Sequence, residues 1–237
     1  MQKIFDPAFM LSNVPEILSY LPVTLGIAAI SGACALIIGL GVALLRFYKV
    51  RILSQLCALY VSFIRGTPCL VQLLIAYYGI PVFLRFINAE LGTSFNVNGI
   101  HASVFAIIAL GLNSGAFMSE TLRSAIQAVD RGQFEACYSL NMSPWQTLRR
   151  IVLPQAFVTA LPPLGNSFIS LLKETSLVFS ISVVEMMAAA KIVGSRSFRF
   201  FEMYIVVAFI YWICCLILEQ IFRYIEKRGL RTQRRES

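Results

Sequence analysis

Six polar side chains stand where polar side chains are costly. Asn113, Glu120, Asn166, Lys173, Glu174 and Ser176 all fall within or at the edge of long apolar stretches. Ionisable and amide groups in hydrocarbon are expensive, so each reads as part of a polar route, a ligand contact or a lock between helices. Lys173 and Glu174 are neighbours in sequence and point about 100° apart on a helix, so they cannot face one cavity equally. A polar pathway through an apolar protein is the chemistry these residues support. Helix locking stays open for each of them.

Covalent chemistry finds little to work with. The single histidine, His101, cannot supply a His-x-x-x-His metal site, and its place at the mouth of an apolar run suits an interfacial or packing role. No Gly-Lys pair occurs, so there is no phosphate-cradling loop of the G-x-x-x-x-G-K-[ST] type, and any ATP hydrolysis must come from another chain. Of six cysteines, Cys34, Cys57, Cys69, Cys214 and Cys215 lie in or beside apolar runs, and Cys137 lies in a polar stretch. None falls in a segment expected outside the cell, so a disulfide framework is not expected. No metal, no cofactor and no catalytic residue is expected.

The elements that position the six residues follow from charge spacing. Of 237 residues 58% are hydrophobic and only 14% are charged, too few charges to cover a soluble domain. Residues 17–45 and 91–119 carry no Asp, Glu, Lys or Arg, and a helix crosses the hydrocarbon core with about 20 residues. The reading is an all-α integral membrane protein of about five transmembrane helices, forming one transmembrane domain over residues 1–237. Its spans are expected at about Leu18–Leu45, Cys69–Leu84, Ile100–Ser119, from about Val158, and Met203–Phe222. Ile52–Ile64 reads as a helix along the cytoplasmic surface. Thr67 and Pro68 are expected to cap and open the second span. Pro162 and Pro163 are expected to break the fourth, which also carries Glu185. Residues 85–99 and 191–202 read as outer loops.

The net charge of +8 sets orientation rather than pointing to nucleic acid. No basic stretch is interleaved with aromatic residues of the kind that stack on bases. With the amino terminus outside and the carboxyl terminus in the cytoplasm, 14 of the 20 basic residues fall inside and five outside, and Lys173 lies within a span. Six of the inner ones crowd the tail after Phe222. The amino terminus lacks a basic leader region and reads as a short outer tail rather than a cleaved signal.

One sizeable polar stretch interrupts this pattern, at about residues 123–155. Two short helices are legible in it. The first runs from about Gln133 to Leu140, with Phe134, Cys137, Tyr138 and Met142 as its apolar set, and turns at Asn141, which tolerates a left-handed cap. The second opens with Ser143 as N-cap and Pro144 at the first helical position, and ends near Pro154. A short amphipathic helix held between two spans suits docking into a partner's groove. A helix lying on lipid is the alternative, and the scarcity of basic residues argues against it.

Glu135, Ala136 and Cys137, then Asn141, then Ile151, Leu153 and Pro154 match the spacing of the EAA loop of ABC importer permeases: Glu-Ala-Ala, three residues, Gly, nine residues, Ile-x-Leu-Pro. Cys137 replaces Ala and Asn141 replaces Gly, both physically mild changes. Arg65-Gly-Thr-Pro-Cys-Leu-Val-Gln-Leu, Asn113-Ser-Gly-Ala-Phe-Met-Ser-Glu-Thr-Leu-Arg123, Leu161-Pro-Pro-Leu-Gly-Asn166 and Leu171-Leu-Lys-Glu-Thr-Ser-Leu177 extend the likeness over about residues 18–225. The chain thus resembles the permease subunits of polar amino acid importers of the histidine, arginine, glutamine and cystine type.

That resemblance implies the type I importer permease fold in the plasma membrane of a bacterium. It implies a second permease copy or a related permease beside this one, surrounded by membrane lipid. An ABC ATPase would dock on each EAA loop, and an extracytoplasmic solute-binding protein would deliver a polar amino acid. The EAA residues would couple the ATPase, and the six intramembrane residues are the candidates for the substrate pathway. An ion-driven secondary amino acid transporter is the alternative; it calls for inverted repeats and more spans, and neither is visible.

Overall fold

The computed structural model describes residues 6–236, with side chains described through Arg228. Lys3 and the tail residues Arg231, Arg234 and Arg235, counted above for orientation, lie outside the described side chains.

Ten helices make up the described chain: α1 Pro7–Leu18, α2 Leu21–Phe47, α3 Arg51–Arg65, α4 Cys69–Leu91, α5 Ala102–Gln127, α6 Arg131–Ser139, α7 Pro144–Thr147, α8 Leu153–Glu174, α9 Met186–Ser197 and α10 Phe200–Glu236. Four helices are long and apolar enough to span a bilayer: α2, α4, α5 and residues Phe200–Arg228 of α10. A fifth span is bent: Pro144–Ile181 and Met186–Ser197 meet at 51°.

α5 is the centre, with buried residues along its length from Phe105 to Ile126. α2 runs beside it in the same direction, and small residues let the two backbones close up. A Cβ on Gly39 would stand 3.2 Å from the Gly115 carbonyl oxygen and the Ser119 nitrogen. A Cβ on Gly115 would stand 3.0 Å from Ile38. At the inner end Arg46 of α2 pairs with Glu120, which also pairs with Arg123 at 2.7 Å.

Several local expectations are corrected. α3 does not lie along the cytoplasmic surface. Val61 and Ile64 pack with Val42 of α2 and Ala116 of α5, and the Tyr60 hydroxyl donates to the Leu112 carbonyl at 2.6 Å. Its apolar faces are satisfied by the middle of the bundle on one side and are left exposed at Ile52, Leu56, Leu59 and Phe63 on the other. α3 meets α4, itself long enough to span, at a break over residues 66–68. The cap of α4 is Pro68, not Thr67. Thr67 instead accepts from Gln72 Nε2 at 2.8 Å and donates to the Phe63 carbonyl at 2.9 Å.

The prolines of the fourth span do not break it. α8 runs through Pro162 and Pro163. Both sit on its exposed face. The break comes later: a 3-10 turn at Thr175–Ile181 ends in Ser182 with φ of 64°, and Glu185 then caps α9. The stretch from Lys191, expected as an outer loop, is helical through Ser197. The outer tail is ordered as α1, capped by Asp6 and tied to the outer end by Glu16 to Arg196 at 2.9 Å and Asp6 to Arg199 at 3.6 Å.

Candidate functional site

The polar stretch folds as a rigid unit on the inner end of the bundle. Asp130 caps α6, accepting from Gly132 N–H at 2.6 Å. Cys137 is buried, and Phe134 stacks on Phe47 of α2 with ring centroids 6.5 Å apart. These two fix which face points away: Glu135, Ala136, Tyr138, Ser139 and Leu140 are exposed, Leu140 at 77%. Tyr138, expected in the packed set, therefore belongs to the outward face. Asn141 ends the helix at φ of 58°, and Met142 N–H returns to the Cys137 carbonyl at 3.0 Å. This is the left-handed cap its position calls for.

Ser143 then caps α7 in a reciprocal box. Its N–H donates to Gln146 Oε1 at 2.9 Å, and Gln146 N–H donates to Ser143 Oγ at 3.3 Å. The helix does not end near Pro154. It passes through one wide π turn, Leu148–Val152, directly into α8. Leu148 and Val152 are buried against Ala125 and Ile126 of α5, with Leu153 packed beside them. Ile151 is half-buried and Pro154 exposed. Pro144 to Glu174 is thus one rod of 31 residues, roughly 45 Å long at about 1.5 Å per residue.

The six intramembrane residues separate into three groups. Asn113 is buried in mid-α5, and its Nδ2 donates to Gln72 Oε1 at 2.9 Å. Gln72 also donates to the Ile64 carbonyl at 2.8 Å, so this pair satisfies the backbone freed at the α3–α4 break. Glu120 stands apart at the inner end with its two arginines. Asn166 and Lys173 share the exposed face of α8, with Glu174 half-buried beside it. Ser176 donates to the Lys173 carbonyl at 2.7 Å.

That α8 face is the most informative. Thr159, Pro163, Asn166, Ser170 and Lys173 follow one another at intervals of four, three, four and three residues, and none of them is buried. The spacing aligns them within about 80° of arc at 100° per residue. A polar stripe ending in a lysine is unfit for lipid; an intramembrane lysine costs about 2.5–3.5 kcal/mol by insertion measurements. It requires a polar neighbour or a water-filled passage.

Two polar residues passed over as site candidates are as deeply engaged as any of the six. Gln72 is one. Glu185 is the other: fully buried, it accepts from Tyr211 OH at 2.8 Å, Thr24 Oγ1 at 3.3 Å and Ala188 N–H at 3.0 Å. Its signal was present as a carboxylate in an apolar span, but its partners lie 161 and 26 residues away in sequence. Among the described residues no group of three or more metal-ligating side chains gathers.

This architecture has known counterparts. Residues 35–230 match the family described as the inner membrane component of binding-protein-dependent transport systems. The probable amino-acid permease protein YxeN of Bacillus subtilis (strain 168) is 41% identical over 230 residues, covering 96% of this chain and 98% of that protein. The L-cystine transport system permease protein TcyL of the same organism is 40% identical over 235 residues, covering 99% and 96%. Among solved structures, an amino acid ABC transporter crystallised with histidines superposes with a TM-score of 0.81 at 34% identity, covering 95% of this chain and 100% of that one. The MetNI methionine ABC transporter in an inward-facing conformation shares the fold, with a TM-score of 0.72 at 18% identity. The chain belongs to the binding-protein-dependent transport system inner membrane components, as a multi-pass ABC importer permease of the bacterial inner membrane.

Proposed function

We propose that this chain is the membrane-spanning half of an ATP-driven importer for a polar amino acid, coupled through residues 131–154 to an ATPase on a separate chain. The observation that carries the reading is the continuity of the coupling segment with the pathway. The exposed face of α6 presents Glu135, Ala136 and Leu140 to a partner, and the rod from Pro144 to Glu174 ends at the polar stripe and the outer break.

The mechanism follows from that continuity. Phe134 clamps α6 to the inner end of α2 through Phe47, and Leu148 and Val152 clamp the start of the rod to α5. Displacement of α6 by a moving ATPase surface is passed through the short turn at Asn141–Ser143 to the rod. The π turn at Leu148–Val152 is the compliant point, since its hydrogen bonds are wider than those of the flanking α-helix. Tilting the rod swings Asn166, Ser170 and Lys173 relative to α5. It also changes the angle at Ser182, opening one side of the passage as the other closes.

A second permease, identical or related, covers the exposed stripe of α8 and supplies the other wall of the passage. An extracytoplasmic binding protein delivers the solute at the outer end. Asn113, through Gln72, holds the α3–α4 break, and Glu120 fastens the inner ends of α2 and α5; of the six candidates, Asn166, Lys173, Glu174 and Ser176 lie along the route. For a zwitterionic solute, Lys173 complements a carboxylate and Glu174 an ammonium. Relatives that carry cystine place cystine in the first panel to test, with arginine, histidine and glutamine.

Co-purification tests the docking face. The wild-type chain, expressed with its partner ATPase, is expected to retain it through detergent extraction, and Leu140→Asp is expected to lose it. Retention of the ATPase by Leu140→Asp and by Glu135→Arg alike would remove residues 131–154 as the docking site.

A further inference from the structure

At the outer bend of the fourth span lies a cleft of about 320 Å³, lined by Phe179, Ser182, Val183, Val184, Ala188, Lys191 and Ile192. Its volume is at the lower end of the roughly 300–1,000 Å³ typical of small-molecule sites. The bend itself makes the cleft. The left-handed Ser182 turns the chain away from the axis of α8, and α9 leaves at 51°, so the two arms stand apart on one side.

The walls are mostly apolar, with Ser182 polar and Lys191 the one charge. Lys191 Nζ sits 4.4 Å from the centroid of the Phe179 ring. The other described cations at the outer end are hydrogen-bonded or paired. Arg85 donates to Asn98 at 3.1 Å, Arg196 meets Glu16 at 2.9 Å, and Arg199 meets Asp6 and Glu202 at 3.6 and 3.3 Å. Lys191 has no carboxylate partner among the described residues, and its exposed ammonium rests on an aromatic face. The ring holds this exposed cation at the cleft without neutralising it, which leaves the charge available to an anionic ligand.

We propose that this cleft is the entry subsite of the passage, in which Lys191 reads the carboxylate of the incoming amino acid while Phe179 and the Val183, Val184 and Ile192 walls contact its carbon skeleton. The proposal rests on the importer reading above and adds the group recognised and the residue that recognises it. On this proposal a carboxylate released by Lys191 next meets a second cation, the exposed Lys173 of α8, with Ser170 and Asn166 beyond it in the stripe. The ammonium of Lys191 is a point charge on a flexible stem, suited to letting go of its ligand when the bend angle changes.

The test uses the permease assembled with its ATPase in nanodiscs and in proteoliposomes with the binding protein. Labelled arginine, histidine, glutamine and cystine are the probes, together with the carboxamide of whichever one is transported. Wild type is expected to bind the transported amino acid directly and to prefer it over its carboxamide. Lys191→Gln is expected to weaken that binding at least tenfold and to abolish the preference, Lys191→Arg to stay within about threefold of wild type, and Phe179→Leu to fall between them. The affinity of the assembly for the binding protein is measured alongside.

Unchanged amino acid binding in Lys191→Gln would overturn the proposal and leave Lys191 as an interfacial anchor. A fall in binding-protein affinity with unchanged amino acid binding would overturn it too, giving the complementary carboxylate to the binding protein. Absence of ATP-dependent uptake by wild type with every probe would instead remove the importer reading on which the proposal stands. Lys191→Arg controls for assembly: loss of binding in both Lys191→Gln and Lys191→Arg, with monodisperse complexes, would assign the residue a packing role.

Discussion

Replacing Glu185 by alanine should destabilise the permease more than any other single deletion of a polar side chain in the outer half. Glu185 is fully buried at the bend of the fourth span and ties three helices together. One carboxylate oxygen accepts from Ala188 N–H and so caps α9; the other accepts from Tyr211 of α10 and Thr24 of α2. Loss of the cap costs about 0.5–2 kcal/mol. Stranding the Tyr211 hydroxyl in a buried position costs about 1–3 kcal/mol, moderated by the Thr175 hydroxyl 3.4 Å away. Thr24 keeps its bond with Met186 N–H at 3.2 Å and is largely spared. The total is about 3 kcal/mol, which for a chain of this size lowers the melting temperature by roughly 6–12 °C.

Fluorescence-detected size-exclusion of heated detergent-solubilised protein reads this directly. Tyr211→Phe alone should cost about 1 kcal/mol, roughly 2–4 °C. The double variant should lose at least about 0.5 kcal/mol less than the sum of the two, because the partners share one bond. Glu185→Ala melting within 2 °C of wild type, or strict additivity in the cycle, would refute the view that this carboxylate holds the bend.

Three further outcomes follow from the same coordinates. Gly39→Leu should prevent the close approach of α2 and α5, because its Cβ would already crowd the Gly115 carbonyl and the Ser119 nitrogen at 3.2 Å; overpacking of this kind costs about 1–3 kcal/mol, read as lost monodisperse yield. Asn141→Val should strain the left-handed cap of α6 by about 1–2 kcal/mol and reduce solute-stimulated ATPase activity, whereas Asn141→Gly should leave it intact. Arg46→Glu should lower the melting temperature by placing two carboxylates together at the inner end. The exchange Arg46→Glu with Glu120→Arg should recover at least half of that loss.

Local chemistry was the most legible part of the sequence. Ser143-Pro144 and Asn141 each dictate a backbone state through their own side chain or ring, and both act as their types require. Runs of apolar residues located the spans, because length and composition alone decide what can cross hydrocarbon. Depth was harder to read. α3 looks like a surface helix because it is short and begins at Arg51, yet Tyr60, Val61 and Ile64 find their partners in the inner half of α2 and the middle of α5. Breaks were misplaced for a related reason. Pro162 and Pro163 remove donors, but on an exposed face the helix continues past them. The real bend depends on Ser182 taking φ of 64° and on Glu185 reaching Thr24 and Tyr211, contacts that no local pattern announces.

The residues proposed for coupling were marked by their resemblance to the EAA loop, yet the residues that seat the loop, Leu148 and Val152, carried no such mark. The polar stripe of α8 became visible only when exposure separated Asn166, Ser170 and Lys173 from the buried Leu164, Leu171 and Leu172.

The central claim, that residues 131–154 transmit ATP hydrolysis to a solute passage, is tested most directly in proteoliposomes containing this chain, its ATPase and its binding protein. Hydrolysis and uptake are measured together for wild type and Glu135→Ala, with each of cystine, arginine, histidine and glutamine. The account predicts that one of these amino acids stimulates both activities in wild type, and that Glu135→Ala separates them, with hydrolysis no longer driving uptake. Uptake that follows an ion gradient without ATP, or a Glu135→Ala permease that keeps wild-type coupling, would contradict it.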